Sequence, residues 1–538
     1  MKQKNYKEYL SGMIPCVCYG LLAGTLTGAT IFFFKFLAKH AEEYSRSIYE
    51  FAKNSWVTML LVFLALVALA FIMRIIHKKV PECKGGGIPR SEGILRGILP
   101  FRWLRTLFGT FFGSLLCFFA GVPVGSEGPA VLIGTSIGCM SGRFSKKQVA
   151  WNRYVMTGGA GAGFAVATGA PLSGILFALE EIHKRFSPLL VLTVSMAVLS
   201  ATGTNHLLCN LFDLSPMLFD FGTLPEFELS HIGYLILLGV LIALAAAVFD
   251  ASILLFRQFT GLSKKVGPIP VKLIVTFLMT GILCFFLADG AYSGHHMIVH
   301  ILEHDTAVLT LLGLFVVRLL MMLLITDSGA TGGIFIPTLA IGALAAALFT
   351  KLLVLLGMPA ELSTVAILLG MCAFIGGTLR APLTASVLFI ELTGQLTGLF
   401  YVALVVFTVS LITEIFHQTP FYDKALEEMI EVHHHGKTPM ISSFTLTVSR
   451  NAFVVGKAVR DVMWPHTSII TSITHIDSDI LEEMDDDGEQ RLYTGDKVTI
   501  RACYYDREEI LTLLRGLVGT EHEIEIKDEF LQNVRVFS

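Results

Sequence analysis

Residues 121–134 read GVPVGSEGPAVLIG. A single carboxylate, Glu127, stands between Gly125-Ser126 and Gly128-Pro129 in an otherwise apolar stretch. An unpaired charge at membrane depth is expensive, so membrane sequences rarely keep one without a use. The surroundings are those of a membrane protein. The 538 residues are 54% hydrophobic and 15% charged, where a soluble chain carries about 25% charged residues. The runs Val57–Ile76, Gly233–Phe256, Leu273–Ala288 and Val402–Ile412 hold few charges or none. Several approach the roughly 20 residues that cross a hydrocarbon core, and the shorter, Gly/Pro-interrupted ones suit broken or re-entrant helices.

The first nine residues, MKQKNYKEY, are basic and polar, and an apolar run follows through Leu37 without a small-residue cleavage site. No cleavable signal is expected, and a Lys-rich start before a first span predicts a cytoplasmic N-terminus. Nine scattered cysteines without a CxxC pair fit neither a disulfide frame nor a zinc site. Charge divides the chain. Residues 438–538 hold 18 Asp/Glu and 10 Lys/Arg, a balance of −8, whereas residues 1–437 hold 25 and 30, a balance of +5. The reading is a membrane domain at 1–432, a linker at 433–441 containing His433-His434-His435, and a soluble α+β domain at 442–538. The triple histidine is read as solvated linker, not as a metal site, because no further ligands accompany it.

The membrane part resembles itself. Pro129-Ala-Val-Leu-Ile-Gly134 aligns with Pro337-Thr-Leu-Ala-Ile-Gly342, and Ala170-Pro-Leu-Ser173 aligns with Ala381-Pro-Leu-Thr384. In each copy an acidic residue, Glu180 or Glu391, follows the proline by nine positions. Internal repeats of this kind mark secondary transporters, whose substrate site lies at the repeat interface. The repeat explains the helix breakers. A helix that begins inside the membrane exposes free N–H groups and the positive end of its dipole, a ready site for a small anion. Three segments suit such a start: Gly85-Gly86-Gly87-Ile88-Pro89, Gly125-Ser126-Glu127-Gly128-Pro129 and Gly332-Gly333-Ile334-Phe335-Ile336-Pro337. Glycine admits close approach of the backbone, and proline sets the first helical turn without wasting a donor.

These motifs, in this order, resemble the CLC family of chloride channels and chloride/proton antiporters, whose patterns are GSGIP, GREGP and GIFxP followed by a pore tyrosine. The likeness covers residues from about 10 to 430, with Tyr422 of Pro420-Phe421-Tyr422 in the tyrosine's place. It implies an all-α polytopic fold with an inverted repeat and broken, re-entrant helices. It also implies a homodimer in the cell membrane, with both termini cytoplasmic and a bacterial source. Glu127 matches the gating glutamate, which competes with an anion and swings away when protonated. Glu181 matches the internal proton glutamate of the antiporters. The N–H groups of Ile334 and Phe335, the Tyr422 hydroxyl and the backbone at Gly86 would hold chloride. The function implied is chloride/proton antiport, with a passive chloride channel as the alternative. No catalytic residue, metal or cofactor is expected beyond bound chloride. Two positions depart from the pattern. Gly86 replaces the family serine, removing a hydroxyl from the anion, and Ser126 replaces the arginine, removing a positive charge. Both open the question of preference among chloride, nitrate and fluoride.

The tail reads as strand 444–448, helix 456–462, strand 468–473, a hairpin, strand 493–500 and helix 507–514. It resembles the RCK-C (TrkA-C) ligand-binding domain of potassium-uptake regulators, which implies dimerisation and a small regulator such as cyclic di-AMP. The net −8 disfavours a dianion unless Arg450, Lys457 or Arg460 offsets it. Two other classes compete with this reading. A serine hydrolase using Ser126 would need a base within hydrogen-bond reach, and the histidines offer no obvious partner. A potassium transporter is suggested by the tail alone.

Overall fold

A computed structural model describes residues 2–143, 149–184, 186–216, 218–219, 224–261, 270–416, 419–434, 438–465, 468–475, 481–483, 488–519 and 524–529. The first half of the membrane domain comprises α1 (Lys2–Ala52), α2 (Trp56–Lys79), α3 (Gly87–Leu95), α4 (Trp103–Ala120), α5 (Glu127–Arg143), α6 (Val149–Thr168), α7 (Pro171–Phe177) and α8 (Pro188–Leu211). The second half comprises α9 (Ile232–Gly261), α10 (Val271–Phe286), α11 (His295–Glu303), α12 (Val308–Ser328), α13 (Phe335–Leu355), α14 (Ser363–Leu379), α15 (Pro382–Thr393), α16 (Leu399–Ile415) and α17 (Phe421–His433). Among the described residues nine helices are long and apolar enough to cross a membrane. The chain is a multi-pass membrane protein. The first helix runs unbroken past Leu37 to Ala52, since no glycine or proline follows Gly28 within it.

Glycines draw the helices together. A Cβ on Gly134 would lie 2.0 Å from the Gly159 carbonyl oxygen, and one on Gly163 would lie 2.2 Å from that of Ala130, so α5 and α6 touch backbone to backbone. Gly24 and Gly28 of α1 meet the Ala197 and Ala201 carbonyls of α8 in the same way, at 2.0 and 2.5 Å. Small residues at helix contacts are how membrane helices gain packing energy when lipid offers no hydrophobic drive.

The two acidic residues of the repeat clasp one another's helices. Glu391, on α15, accepts the N–H groups of Leu172 (2.7 Å) and Ser173 (2.8 Å) and the Ser173 hydroxyl (2.6 Å) at the start of α7. Glu180 accepts the N–H groups of Leu383 (2.9 Å) and Thr384 (2.7 Å) and the Thr384 hydroxyl (2.7 Å) at the start of α15. Each carboxylate satisfies donors that a helix start leaves unpaired. The reciprocity, residue for residue, is the signature of an internal two-fold axis.

The C-terminal part is an antiparallel sheet of β1 (Met440–Thr447), β2 (Ser468–Thr474), β3 (Leu481–Glu483), β4 (Lys497–Tyr504) and β5 (Glu525–Glu529), in the order β3-β2-β4-β1-β5, with helix α18 (Arg507–Val518). The helix expected at 456–462 is reduced to one 3-10 turn, Val459–Asp461. Its donors are engaged elsewhere: the N–H groups of Gly456, Val459 and Arg460 bond the carbonyls of Leu492, Gln490 and Gly488. Gly456 also has φ +77°, which interrupts a right-handed helix. The strand expected from Tyr493 begins at Lys497, because the Asp496 side chain accepts the Tyr493 N–H (2.7 Å) and holds a turn around Gly495. Strand β5 was not foreseen.

This domain rests against the membrane helices. Trp151 of α6 meets Phe453 edge-on at 4.8 Å, and the Tyr154 hydroxyl donates to the Asp461 carbonyl at 2.8 Å. Arg153 donates both to the Leu95 carbonyl at the end of α3 (2.9 Å) and to the Met463 carbonyl (3.2 Å). Lys457 lies in the same contact, over the rings of Phe453 (3.9 Å) and Trp151 (5.3 Å). Burial pushes its pKa down from 10.5 to about 8. Between those values the unfolded chain holds a proton that the folded chain has released, so stability must rise with pH across that window. The melting temperature of the purified protein is therefore expected to gain an increment from pH 8 to pH 10 that Lys457→Met lacks. Parallel pH dependence of the two proteins would refute this.

Candidate anion and proton site

Three helices begin at one place. Helix α4 stops at Gly121, whose φ of +79° ends it in the left-handed region, and the chain turns through Val122–Ser126, with the Val124 N–H donating to the Val122 carbonyl at 2.7 Å, before α5 starts at Glu127. The repeat-related segment before α13 lies antiparallel to it. The Gly125 N–H donates to the Gly333 carbonyl (2.7 Å), and the Gly333 N–H donates to the Gly125 carbonyl (2.8 Å). The third segment joins them through the Gly85 N–H, which donates to the Gly329 carbonyl at 3.0 Å. A Cβ on Gly128 would lie 2.8 Å from the Gly333 Cα and 3.2 Å from the Gly87 nitrogen, so glycine is required where the three backbones meet. Gly85, Gly86, Gly87, Ile88 and Pro89 thus stand beside Gly125, Gly128, Pro129 and Gly333 to Pro337, and the dipoles of α3, α5 and α13 point their positive ends at a shared space.

Glu127 occupies that space. It is buried at 1% exposure, one carboxylate oxygen accepts the Ser126 hydroxyl at 3.0 Å, and the backbone N–H groups of Glu127 and Ile336 support its charge. Its other oxygen has no hydrogen-bond partner. The carboxylate folds back over Gly125, where a Cβ would meet Oε2 at 2.3 Å. Ser126, the departure from the family arginine, thus serves as a hydroxyl latch on the glutamate.

Tyr422, in the first turn of α17, is fully buried, and its hydroxyl has no hydrogen-bond partner. Its hydroxyl lies within electrostatic reach of both Glu127 and Glu181. Ile334 and Phe335 start α13, with Phe335 set by an edge-on contact to Phe164 at 5.1 Å. A cavity of about 370 Å³ leads from Gly85, Gly86 and Ile334 past Lys84 and Arg90 to Met429 and His433 on α17. It gives the site an approach from the side that carries the C-terminal domain.

Glu181 is buried too, at 2% exposure, in a π-helical turn (Ala178–His183) that ends at Lys184 with φ +53°. The surface carboxylate that a helix end would allow is excluded. Around it stand Lys184, Asp423, Glu180 and Glu92. Sequence reading missed Glu92, buried on α3 and paired with Arg96 (2.6 Å) and Lys184 (3.4 Å). The available signal was its place, one helical turn beyond Pro89 and four residues before Arg96, the spacing of a helical ion pair. Glu180, adjacent in sequence, points away into the α15 clasp.

Comparison with known proteins agrees with this geometry. A family profile described as voltage gated chloride channel matches residues 68–414. The chain belongs to the CLC family. A CLC relative in Vibrio cholerae, named H(+)/Cl(-) exchange transporter ClcA, is 32% identical over 397 residues, covering 69% of this chain and 80% of its own. The transporter of the same name in Vibrio vulnificus is 30% identical over 389 residues, covering 70% and 81%. Among solved structures, a slow cyanobacterial Cl-/H+ antiporter superposes with TM-score 0.72 at 26% identity, covering 77% of this chain and 98% of that one. A CLC-type fluoride/proton antiporter shares the fold, with TM-score 0.61 at 19% identity and coverage of 74% and 95%.

The departure at Gly86 is open to a direct test. A Cβ there would meet the Gly332 oxygen at 3.4 Å and the Ile334 side chain at 3.7 Å, ordinary contacts, and the backbone is extended at φ −81°. Gly86→Ser is expected to fold normally and to raise chloride over nitrate flux roughly fivefold, the equivalent of about 1 kcal/mol for one hydrogen bond. Gly128→Ala, which forces the backbones apart, is expected to abolish anion flux. Flux assays in liposomes with either anion check both outcomes.

Proposed function

We propose that this protein is a chloride/proton antiporter. The observation that carries the reading is the pair of buried carboxylates, Glu127 and Glu181, both within electrostatic reach of the buried Tyr422 hydroxyl, together with a cluster of helix N-termini at Glu127. The relatives named as H(+)/Cl(-) exchange transporters support it. Chloride would be held by the N–H groups of Ile334 and Phe335, by the Tyr422 hydroxyl and by the backbone at Gly86. Glu127 and chloride seek the same donors, and each raises the energy of the other's charge. Chloride binding and Glu127 protonation therefore favour one another, which is the linkage that exchange requires. Glu181, buried on the side of the C-terminal domain, would receive the proton there. A passive channel on the same fold has no use for a second buried carboxylate. Both termini are assigned to the cytoplasm of a bacterial cell membrane, and the working unit is assigned as a homodimer.

We assign regulation to the RCK-C-like domain, residues 442–538, through Arg153, which grips the end of the anion-binding helix α3 with one group and the domain with another. Of the three cations weighed for a nucleotide such as cyclic di-AMP, Arg460 pairs with Glu489 at 2.8 Å and Lys457 is packed on aromatic rings. The mechanical link supports regulation more directly than any nucleotide pocket. Arg153→Met is expected to leave chloride binding intact and to change turnover at least about twofold, with the same change in a chain truncated at residue 437. Unchanged turnover in both would remove the regulatory assignment.

The central test is coupled flux. With purified protein in liposomes, a chloride gradient should drive protons uphill. Glu127→Gln and Glu181→Gln should each bring proton movement to background while chloride still passes. A wild-type protein that moves chloride without protons would establish the channel instead.

A further inference from the structure

Lys35 is a lysine inside a membrane helix, and its position is informative. Helices α5 and α6 run antiparallel with Gly138 against Met156, Gly134 against Gly159 and Ala130 against Gly163. The next step along that line sets Glu127 opposite Val166. The Lys35 ammonium donates to the Val166 carbonyl at 3.0 Å. Helix α1 gives the same level independently. Thr27 touches Gly134, at 3.2 Å from a Cβ built there. Eight residues further along α1 lies Lys35, and eight residues back from Gly134 lies Ser126. The ammonium and the Glu127 carboxylate act on each other's charge.

A structural role explains part of this arrangement. Val166 is in the last turn of α6, where carbonyls lack helical donors, and Ala170 bonds to Ala165 instead. A lysine there caps the negative end of the helix. A neutral donor would cap it as well, however, and would avoid the cost of a charge at this depth. The position beside the gate, level with a residue that is a neutral serine here, gives the charge a purpose.

We propose that Lys35 is the fixed cation of the anion mouth on the side opposite the C-terminal domain, a positioning residue that draws chloride toward Glu127 and holds the gate carboxylate in its charged, seated form. The proposal rests on the exchange reading above. The other groups acting on this pair are Glu42 of α1 and Tyr422 of α17 at Glu127, and Cys209 of α8 and His295 of α11 at Lys35. Lys35 supplies the only ammonium among them.

Chloride-driven proton flux in liposomes tests this, with pH and chloride varied on the side opposite the C-terminal domain. Lys35→Gln keeps a donor for Val166 and removes the charge. Losing a neighbouring cation favours the neutral gate, so the pH midpoint of flux should move upward by at least about half a unit. The chloride concentration for half-maximal flux should rise at least about threefold as focusing is lost. Lys35→Arg should return the midpoint, and so should Ser126→Arg placed in the Lys35→Gln background, since it restores a cation at the same level without touching the α6 cap. Lys35→Met replaces Lys35→Gln if the latter does not fold. An unshifted midpoint in the uncharged variants, or an equal shift in Lys35→Arg, overturns the proposal and leaves a helix cap. A wild-type protein that exchanges normally while the variants match it sinks this inference alone; a wild-type protein that moves no protons sinks the exchange reading, and this inference with it.

Discussion

The paired hydrogen bonds between Gly125 and Gly333 are what the remainder of the structure depends on. They join the two halves of the repeat at the same position in each, using backbone only. Because no side chain intervenes, the starts of α5 and α13 come close enough to share one small space, and α3 completes it. A membrane interior tolerates irregular backbone only where its polar groups are satisfied or line a site. Here the extended segments satisfy each other, and the helix N–H groups left over are those that face the site.

The carboxylates extend the same logic. Glu180 and Glu391 stop the starts of α15 and α7 from becoming competing anion sites, since each fills the other's helix start with a built-in anion. Glu127 lies at the starts of α5 and α13 with fewer partners: one oxygen accepts the Ser126 hydroxyl and the other is unpartnered. The same chemistry, a carboxylate on helix N-termini, is fully satisfied at α7 and α15 and only partly satisfied at α5. What differs is satisfaction: both oxygens of each clasp carboxylate accept hydrogen bonds, whereas one oxygen of Glu127 has no partner.

Much of the site was legible in the sequence because backbone requirements leave a mark. Gly125, Gly128 and Gly333 are demanded by approach distances, Pro129 and Pro337 by helix starts, and the repeat placed the two halves in correspondence. The misreadings share a cause. The helix expected at 456–462 in the tail lost its donors to residues 488–492, some thirty positions away. Glu92 and Lys35 escaped notice because what each faces lies far along the chain, and nothing local tells a lipid-facing lysine from one beside a buried carboxylate.

The sequence by itself determined that this is a multi-pass membrane protein, that it contains a repeat, and that three glycine-proline segments begin helices within the membrane. Those properties follow from hydropathy and from backbone sterics, which act over a few residues. Only the tertiary structure decided that Glu180 and Glu391 clasp each other's helices while Glu127 keeps an unpartnered oxygen, and that Arg153 bridges α3 to the C-terminal domain. It alone placed Lys35 level with Glu127. Electrostatic roles depend on what lies within a few ångströms across helix interfaces, and that proximity is set by packing between segments more than a hundred residues apart.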